Sequence, residues 1–195
     1  MSNITNCKTV TFIDIETTNL DPTRSAILSI PVIKDWMEDG KKQEVWSTKI
    51  KPKEVEMRFA SKEALEICRY NEEEWADAPT FREVAPKIAE ALAWGPIVAH
   101  NINFDLSHIR AVMARYGWRE TDLGGRLDLD NHIFKVGYPL IDTCALSFVA
   151  LPTNRQNLDT IREHLNIETE GGHEALKDAE DCREVFWNIV SKVHG

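Results

Sequence analysis

The chain is 195 residues long, 43% apolar and 28% charged, and its 23 Lys and Arg against 32 Asp and Glu give a formal net charge of −9. That composition suits one folded domain with a buried core and excludes wholesale disorder. The acidic balance argues against a protein that coats nucleic acid by charge alone, but not against an enzyme that meets it through bound cations; two divalent ions bring +4 and would move −9 to −5. No run of about 18 apolar residues is present, as a membrane span would need. Met1 to Lys8 carries no apolar run of the secretory kind, and Cys7, Cys68, Cys144 and Cys182 form no CxxC pair. These features predict a cytoplasmic protein with reduced thiols and no thiolate zinc site.

Residues 1–8 read as a tail. Thr9 to Glu16 (TVTFIDIE) is apolar and β-branched and reads as a strand. Ala26 to Trp36 and Gln43 to Ile50 read as two more, joined by a polar turn at Asp39-Gly40. Ser61 and Asn71 are helix caps, and Thr80-Phe81-Arg82-Glu83 fits a capping box for a helix running to about Ala93. Pro86 in its second turn predicts a kink or a later start. Ile97 to Ala99 has the wholly apolar character of a buried parallel strand, and Asn103 to Tyr116 is a helix ended by Gly117. The 117–139 segment is long and polar, an elaborated loop or small hairpin. Leu140-Ile141 is a last short strand, Asp142 caps a helix to about Ala150, and helices cover Gln156 to Leu165 and Glu174 to Val193. The expectation is an α/β domain over residues 1–195. Its mixed sheet has five strands, three antiparallel and then parallel ones, with helices on both faces.

Three elements then aim acid inward. Alternation puts Val10, Phe12, Asp14 and Glu16 on one strand face, with Asp14 and Glu16 roughly 6–7 Å apart. On the helix from Asn103, Leu106, Ile109, Val112, Met113 and Tyr116 form an apolar stripe, and Asp105 falls inside it. On the last helix, Ala175, Ala179, Cys182, Phe186, Ile189 and Val193 form another that contains Asp178. Glu180, Glu184 and Lys177 point away, and Asp181 reads as a solvated flank residue. The helix dipole explains an acid in a first turn but not its core-facing direction. A buried carboxylate costs several kcal/mol unless paired or bound to metal. Neither stripe carries Lys or Arg beside these aspartates, so the cheapest compensation is a cation, and an all-oxygen ligand set fits Mg²⁺ or Mn²⁺ better than zinc or copper.

His173 precedes Asp178 by five positions, about 140° away on a helix. Gly171-Gly172 just before it places the ring on a hinge at the helix entrance, where a general base working near neutral pH would stand. His100 reads as a packed or hydrogen-bonding residue.

Asp14-Ile15-Glu16-Thr17-Thr18-Asn19-Leu20, His100-Asn101-Ile102-Asn103-Phe104-Asp105 and His173-Glu174-Ala175-Leu176-Lys177-Asp178-Ala179 resemble, in order, the three motifs of the DEDDh 3′→5′ exonucleases. That family includes ribonuclease T and the proofreading subunits of bacterial replicative polymerases. The resemblance spans nearly the whole chain and implies a ribonuclease H-like fold with two divalent cations, Mg²⁺ or Mn²⁺. It implies that Asp14, Glu16 and Asp178 hold one ion, that Asp14 bridges to a second supported by Asp105, and that His173 is the base. Glu174 occupies the place where the tyrosine-type relatives carry their base. Thr17, Leu20 and Phe104 match positions that meet the terminal nucleotide, and Asp142-Thr143 resembles a further element. Asn19 stands where glycine is usual, and Ser29 where an acid or amide is common.

The expected activity is metal-assisted hydrolysis at a 3′ end, with single-stranded DNA favoured over RNA and release of nucleoside 5′-monophosphates. Lys177, Arg155 or Arg162 would serve upstream phosphates. The alternatives are an exoribonuclease, a non-catalytic end-binding protein and an internally cutting nuclease. Expected partners are a nucleic-acid 3′ end and a second copy or a polymerase.

Overall fold

The computed structural model describes residues 8–122, 124–167 and 174–194. Strand β1 (Thr9–Ile13) is buried at every position. It lies between β3 (Ile27–Trp36), antiparallel with Ile13 opposite Val32, and β5 (Ile97–Ala99), parallel with Thr11 opposite Ile97. Beyond β3 lies β4 (Lys42–Lys49), whose alternating exposure suits an outer strand, and beyond β5 lies β8 (Leu140–Asp142), parallel to it. The mixed sheet is as the sequence predicts, with one difference. The strand predicted over Thr9 to Glu16 breaks at Asp14-Ile15 and resumes as β2 (Glu16–Thr17), where Glu16 faces Ser29 and Thr17 faces Ile27 across a register shift. Such an irregularity bends the strand locally and re-aims its side chains.

Short helices α1 (Glu54–Met57), α2 (Lys62–Ile67) and α3 (Glu72–Trp75) follow β4; the Ser61 and Asn71 side chains accept from Ala64 and Glu73 N–H at 3.3 and 2.9 Å. At α4 (Phe81–Leu92) the Thr80 N–H donates to Glu83 Oε2 at 2.7 Å. This helix does not start late, and it continues through Pro86. The lost backbone bond, about 3 kcal/mol, is outweighed by a buried face that includes Phe81, Val84, Ile88 and Leu92. The remaining helices are α5 (Ile102–Arg115), α6 (Thr143–Ala150), α7 (Leu158–Leu165) and α8 (Ala175–His194).

Strand alternation divides the core. Ile13, Ile30, Val32, Ile97 and Ala99 face α4 and α5, whereas Val10, Phe12, Ile33 and Val98 face Ala179, Cys182 and Phe186 of α8. The 117–139 segment does turn back on itself in a small antiparallel bridge, Asp128 opposite Ile133. It also carries a parallel pair, β6 (Arg119–Glu120) and β7 (Ile133–Phe134), and buries Trp118 and Phe134 in the α4–α5 core.

Candidate active site

Each acid is delivered by an element whose apolar residues fix its direction. In α5 the predicted stripe, Leu106, Ile109, Val112, Met113 and Tyr116, is buried throughout, and Asp105 within it is 2% exposed. The α5 entrance is held by Asn101, which takes φ 65° and donates its N–H to Asp142 Oδ1 at 3.0 Å; the same oxygen caps α6 through Cys144 N–H at 2.9 Å. In α8, Ala175, Ala179, Cys182, Phe186 and Ile189 are buried and Asp178 among them is half-buried, but Val193 is 66% exposed.

The β1–β2 break, β2 and α8 bring Asp14, Glu16 and Asp178 together, with a carboxylate oxygen from each within 4.8 Å of the other two. A regular strand would have kept Asp14 and Glu16 further apart, so the break corrects the sequence-based spacing. Burial pushes the Asp14 carboxyl well above the usual range, and the charges of Asp105, Asp178 and Glu16 add to that shift. Asp105 is not in the three-residue set but is raised in the same way, first by burial, with Asp142 and Glu16 contributing. Oxygens on one Mg²⁺ at about 2.1 Å stand about 3 Å apart when adjacent and about 4.2 Å when opposite. The three carboxylates therefore fit a hard divalent ion with a small closure.

Several residues sit differently from expectation. Asp181 is 1% exposed, not solvated, and pairs with Arg162 and Lys177. Arg162 is 3% exposed and reaches Asp178 as well, its Nη1 lying 3.5 Å from Oδ1. The expectation that no basic group stands beside Asp178 fails because Arg162 comes from a neighbouring helix, which periodicity within α8 cannot reveal. Buried Arg162 and the paired Lys177 are thereby committed to protein carboxylates, whereas Arg155 is exposed. Cys68, which no motif singled out, donates its thiol to Glu16 Oε2 at 3.0 Å; burial pushes its pKa up, and that hydrogen bond and the Glu16 charge push it further. His173 and Cys7 lie outside the described residues. Glu174 is exposed and pairs with Arg69 at 3.9 Å. His100 behaves as expected, half-buried with Nδ1 3.0 Å from Thr143 Oγ1.

Thr17 is buried and its hydroxyl donates to the Asn19 carbonyl at 3.1 Å, while Leu20 is 78% exposed. Asn19 needs no left-handed backbone; its side chain donates to Phe59 O at 2.7 Å and accepts from Asp21 N–H at 2.8 Å. Phe104 is half-buried, with its ring centroid 4.3 Å from that of His108. His108 is itself buried, with Nδ1 2.9 Å from Phe104 O and Nε2 3.1 Å from Asn19 O, so it ties the Leu20 turn to α5. A cleft of about 550 Å³ opens beside Glu16, lined among others by Ser29, Lys49, Cys68, Arg69 and Glu174.

The sequence profile of the exonuclease (RNase T) family matches residues 11–186. The chain is 32% identical over 182 residues to a PolC-type DNA polymerase III of Thermotoga petrophila, an alignment covering 93% of this chain but 12% of that polymerase. A solved structure of exonuclease X in complex with 5′-overhanging duplex DNA is similar at a TM-score of 0.66 and 20% identity, covering 95% of this chain and 93% of that one. A 3′-exonuclease solved in a study of histone mRNA stem-loop recognition reaches 0.70 at 14% identity, covering 96% and 84%. These two structures bear on the fold, which is ribonuclease H-like. With the profile running from β1 to α8 and the acids of both ends brought to one place, the chain belongs to the exonuclease family, hydrolytic enzymes that work from the 3′ end.

Proposed function

We propose that this protein removes nucleoside 5′-monophosphates from the 3′ end of single-stranded DNA with two divalent cations, Mg²⁺ or Mn²⁺. The observation that carries the reading is the convergence of the half-buried Asp14, Glu16 and Asp178 to within 4.8 Å, where three like charges repel one another unless a cation joins them. Asp14, Glu16 and Asp178 would hold one ion, and Asp14 with Asp105 the other. When bound, the ions would activate water and offset the charge growing on the phosphate. His173 would take a proton from the attacking water. The water oxygen bonds to phosphorus as the bond to the 3′-oxygen of the preceding nucleotide breaks; that oxygen leaves as an alkoxide and takes a proton from solvent, to which His173 returns the one it accepted. Leu20 offers an exposed apolar contact for the terminal base, and Phe104 and Thr17 shape the wall beside it. DNA is favoured because the 32% identical relative is a DNA polymerase, which also makes a polymerase a fitting partner. Among the described residues no helix is long and apolar enough to cross a membrane, and the free thiols of Cys68, Cys144 and Cys182 suit a reducing cytoplasm.

The test is a matched set of end-labelled DNA and RNA oligonucleotides, single- and double-stranded, incubated with Mg²⁺, Mn²⁺ or EDTA and sized. Mononucleotides released from single-stranded DNA with metal, and none in EDTA, are expected. Asp178→Ala should abolish release and weaken metal binding; His173→Ala should keep the metal and turn over at least about a hundredfold slower. Internal fragments, or no release with any metal, would overturn the reading.

A further inference from the structure

The α7–α8 seam is apolar where Ile161 meets Val185 and Ile189, yet it also buries a guanidinium. The Arg162 side chain is 4% exposed and serves three carboxylates: Nη2 pairs with Asp159, and Nη1 pairs with Asp181 Oδ2 while lying 3.5 Å from Asp178 Oδ1. Lys177 pairs with the other Asp181 oxygen. The two cations, Arg162 and Lys177, are matched by the two acids, Asp159 and Asp181, so this group as a whole sets no net charge beside Asp178.

We propose that Arg162 is a positioning residue for Asp178, and that Asp181 keeps the guanidinium from competing with metal for that carboxylate. The inference rests on the metal-site reading above. Asp178 and Asp181 stand three positions apart on α8, about 60° around the axis, so one guanidinium can reach both. A planar fork suits this task where a lysine ammonium would not. The 3.5 Å contact to Asp178 is longer than the 2.7–2.9 Å typical of a charge-assisted hydrogen bond. Asp181 takes the close contact, so Arg162 orients the Asp178 carboxylate without neutralising it. If Asp181 lost its charge, the guanidinium would turn to Asp178 and oppose the cation there.

The test is Mn²⁺ binding to the full chain, by electron paramagnetic resonance, together with Tm, for wild type, Asp181→Asn, Arg162→Met and Asp178→Asn. Asp181→Asn should weaken Mn²⁺ binding at least about tenfold, the equivalent of one charge-assisted hydrogen bond gained by the competitor. Arg162→Met, with the competitor gone, should bind Mn²⁺ as tightly as wild type or more tightly, while kcat falls and KM for the oligonucleotide holds. Both variants lose a buried ion pair and should melt lower, so a merely structural role would move Tm in both and leave Mn²⁺ affinity unchanged. Should Arg162→Met not fold, the paired variant Arg162→Met/Asp181→Leu, which removes both charges, carries the same expected sign. Shifts of equal sign in Asp181→Asn and Arg162→Met, or no shift in either, overturn the inference. Wild type that binds no Mn²⁺, or Asp178→Asn that binds it like wild type, overturns the metal-site reading and this inference with it.

Discussion

Replacing Asp14 with asparagine should stabilise the protein in EDTA and abolish its stabilisation by metal. Carboxylate oxygens of Asp14 and Asp178 lie within 4.8 Å, and like charges at that separation repel by about 3.5 kcal/mol at an effective dielectric of about 20. Solvent screens part of this at half-buried carboxylates, and asparagine keeps the shape while removing one charge. A net gain of about 2 kcal/mol is expected, roughly 4–8 °C in Tm for a chain of this size. The pH dependence has a definite sign. Native Asp14 keeps its proton to higher pH than the unfolded chain does. The Asp14 contribution to metal-free stability is therefore fully present below the ordinary Asp value of about 3.9 and is lost as pH rises through the raised native value. Asp14→Asn should flatten that fall. With Mn²⁺ at about a hundred times its Kd the order reverses, because wild type gains about 2.7 kcal/mol and the variant gains little. Thermal melts from pH 4 to 8, with EDTA or Mn²⁺, measure all of this. An Asp14→Asn protein that melts below wild type in EDTA would refute the reasoning, as would one whose melting follows pH in parallel with wild type.

Leu20, 78% exposed, packs against little, so Leu20→Ala should shift stability by no more than about 0.5 kcal/mol. It should also raise KM for single-stranded oligonucleotides without altering Mn²⁺ affinity, as steady-state kinetics and metal titration would show. His108→Ala removes contacts from both ring nitrogens to the Phe104 and Asn19 carbonyls, at a cost of about 1–3 kcal/mol in urea unfolding. A raised KM should accompany that loss as the Leu20 turn loosens. Phe186 is buried and meets Phe12 edge to face at 5.5 Å; Phe186→Ala should cost about 3–5 kcal/mol, with KM unchanged in the fraction that remains folded.

Much of this architecture can be read from local pattern. Apolar runs in β1, β3 and β5 announce buried strands, and the caps at Ser61 and Asn71 depend only on near neighbours. Asp105 stands out because helical periodicity places it among leucine, isoleucine and valine, and it is buried there. What escapes such reading depends on contacts between elements. The break after Ile13 is dictated by pairing with β3, and no residue type at Asp14 or Ile15 announces it. Asp181 looks like a surface acid until α7 covers it with Arg162, and Cys68 gains meaning only beside Glu16. The short α1 carries too few residues to show a period.

Phe134 has a practical consequence for anyone reshaping this molecule. It is 2% exposed and sits in the same packed group as Phe81 and Tyr116, although the chain reaches it by an excursion outside the main sheet. That excursion is a plug as well as a decoration. A shortened version, or a graft from a relative with a briefer connection, would leave a phenylalanine-sized hole under α4 and α5 unless another bulky apolar group were supplied to fill it.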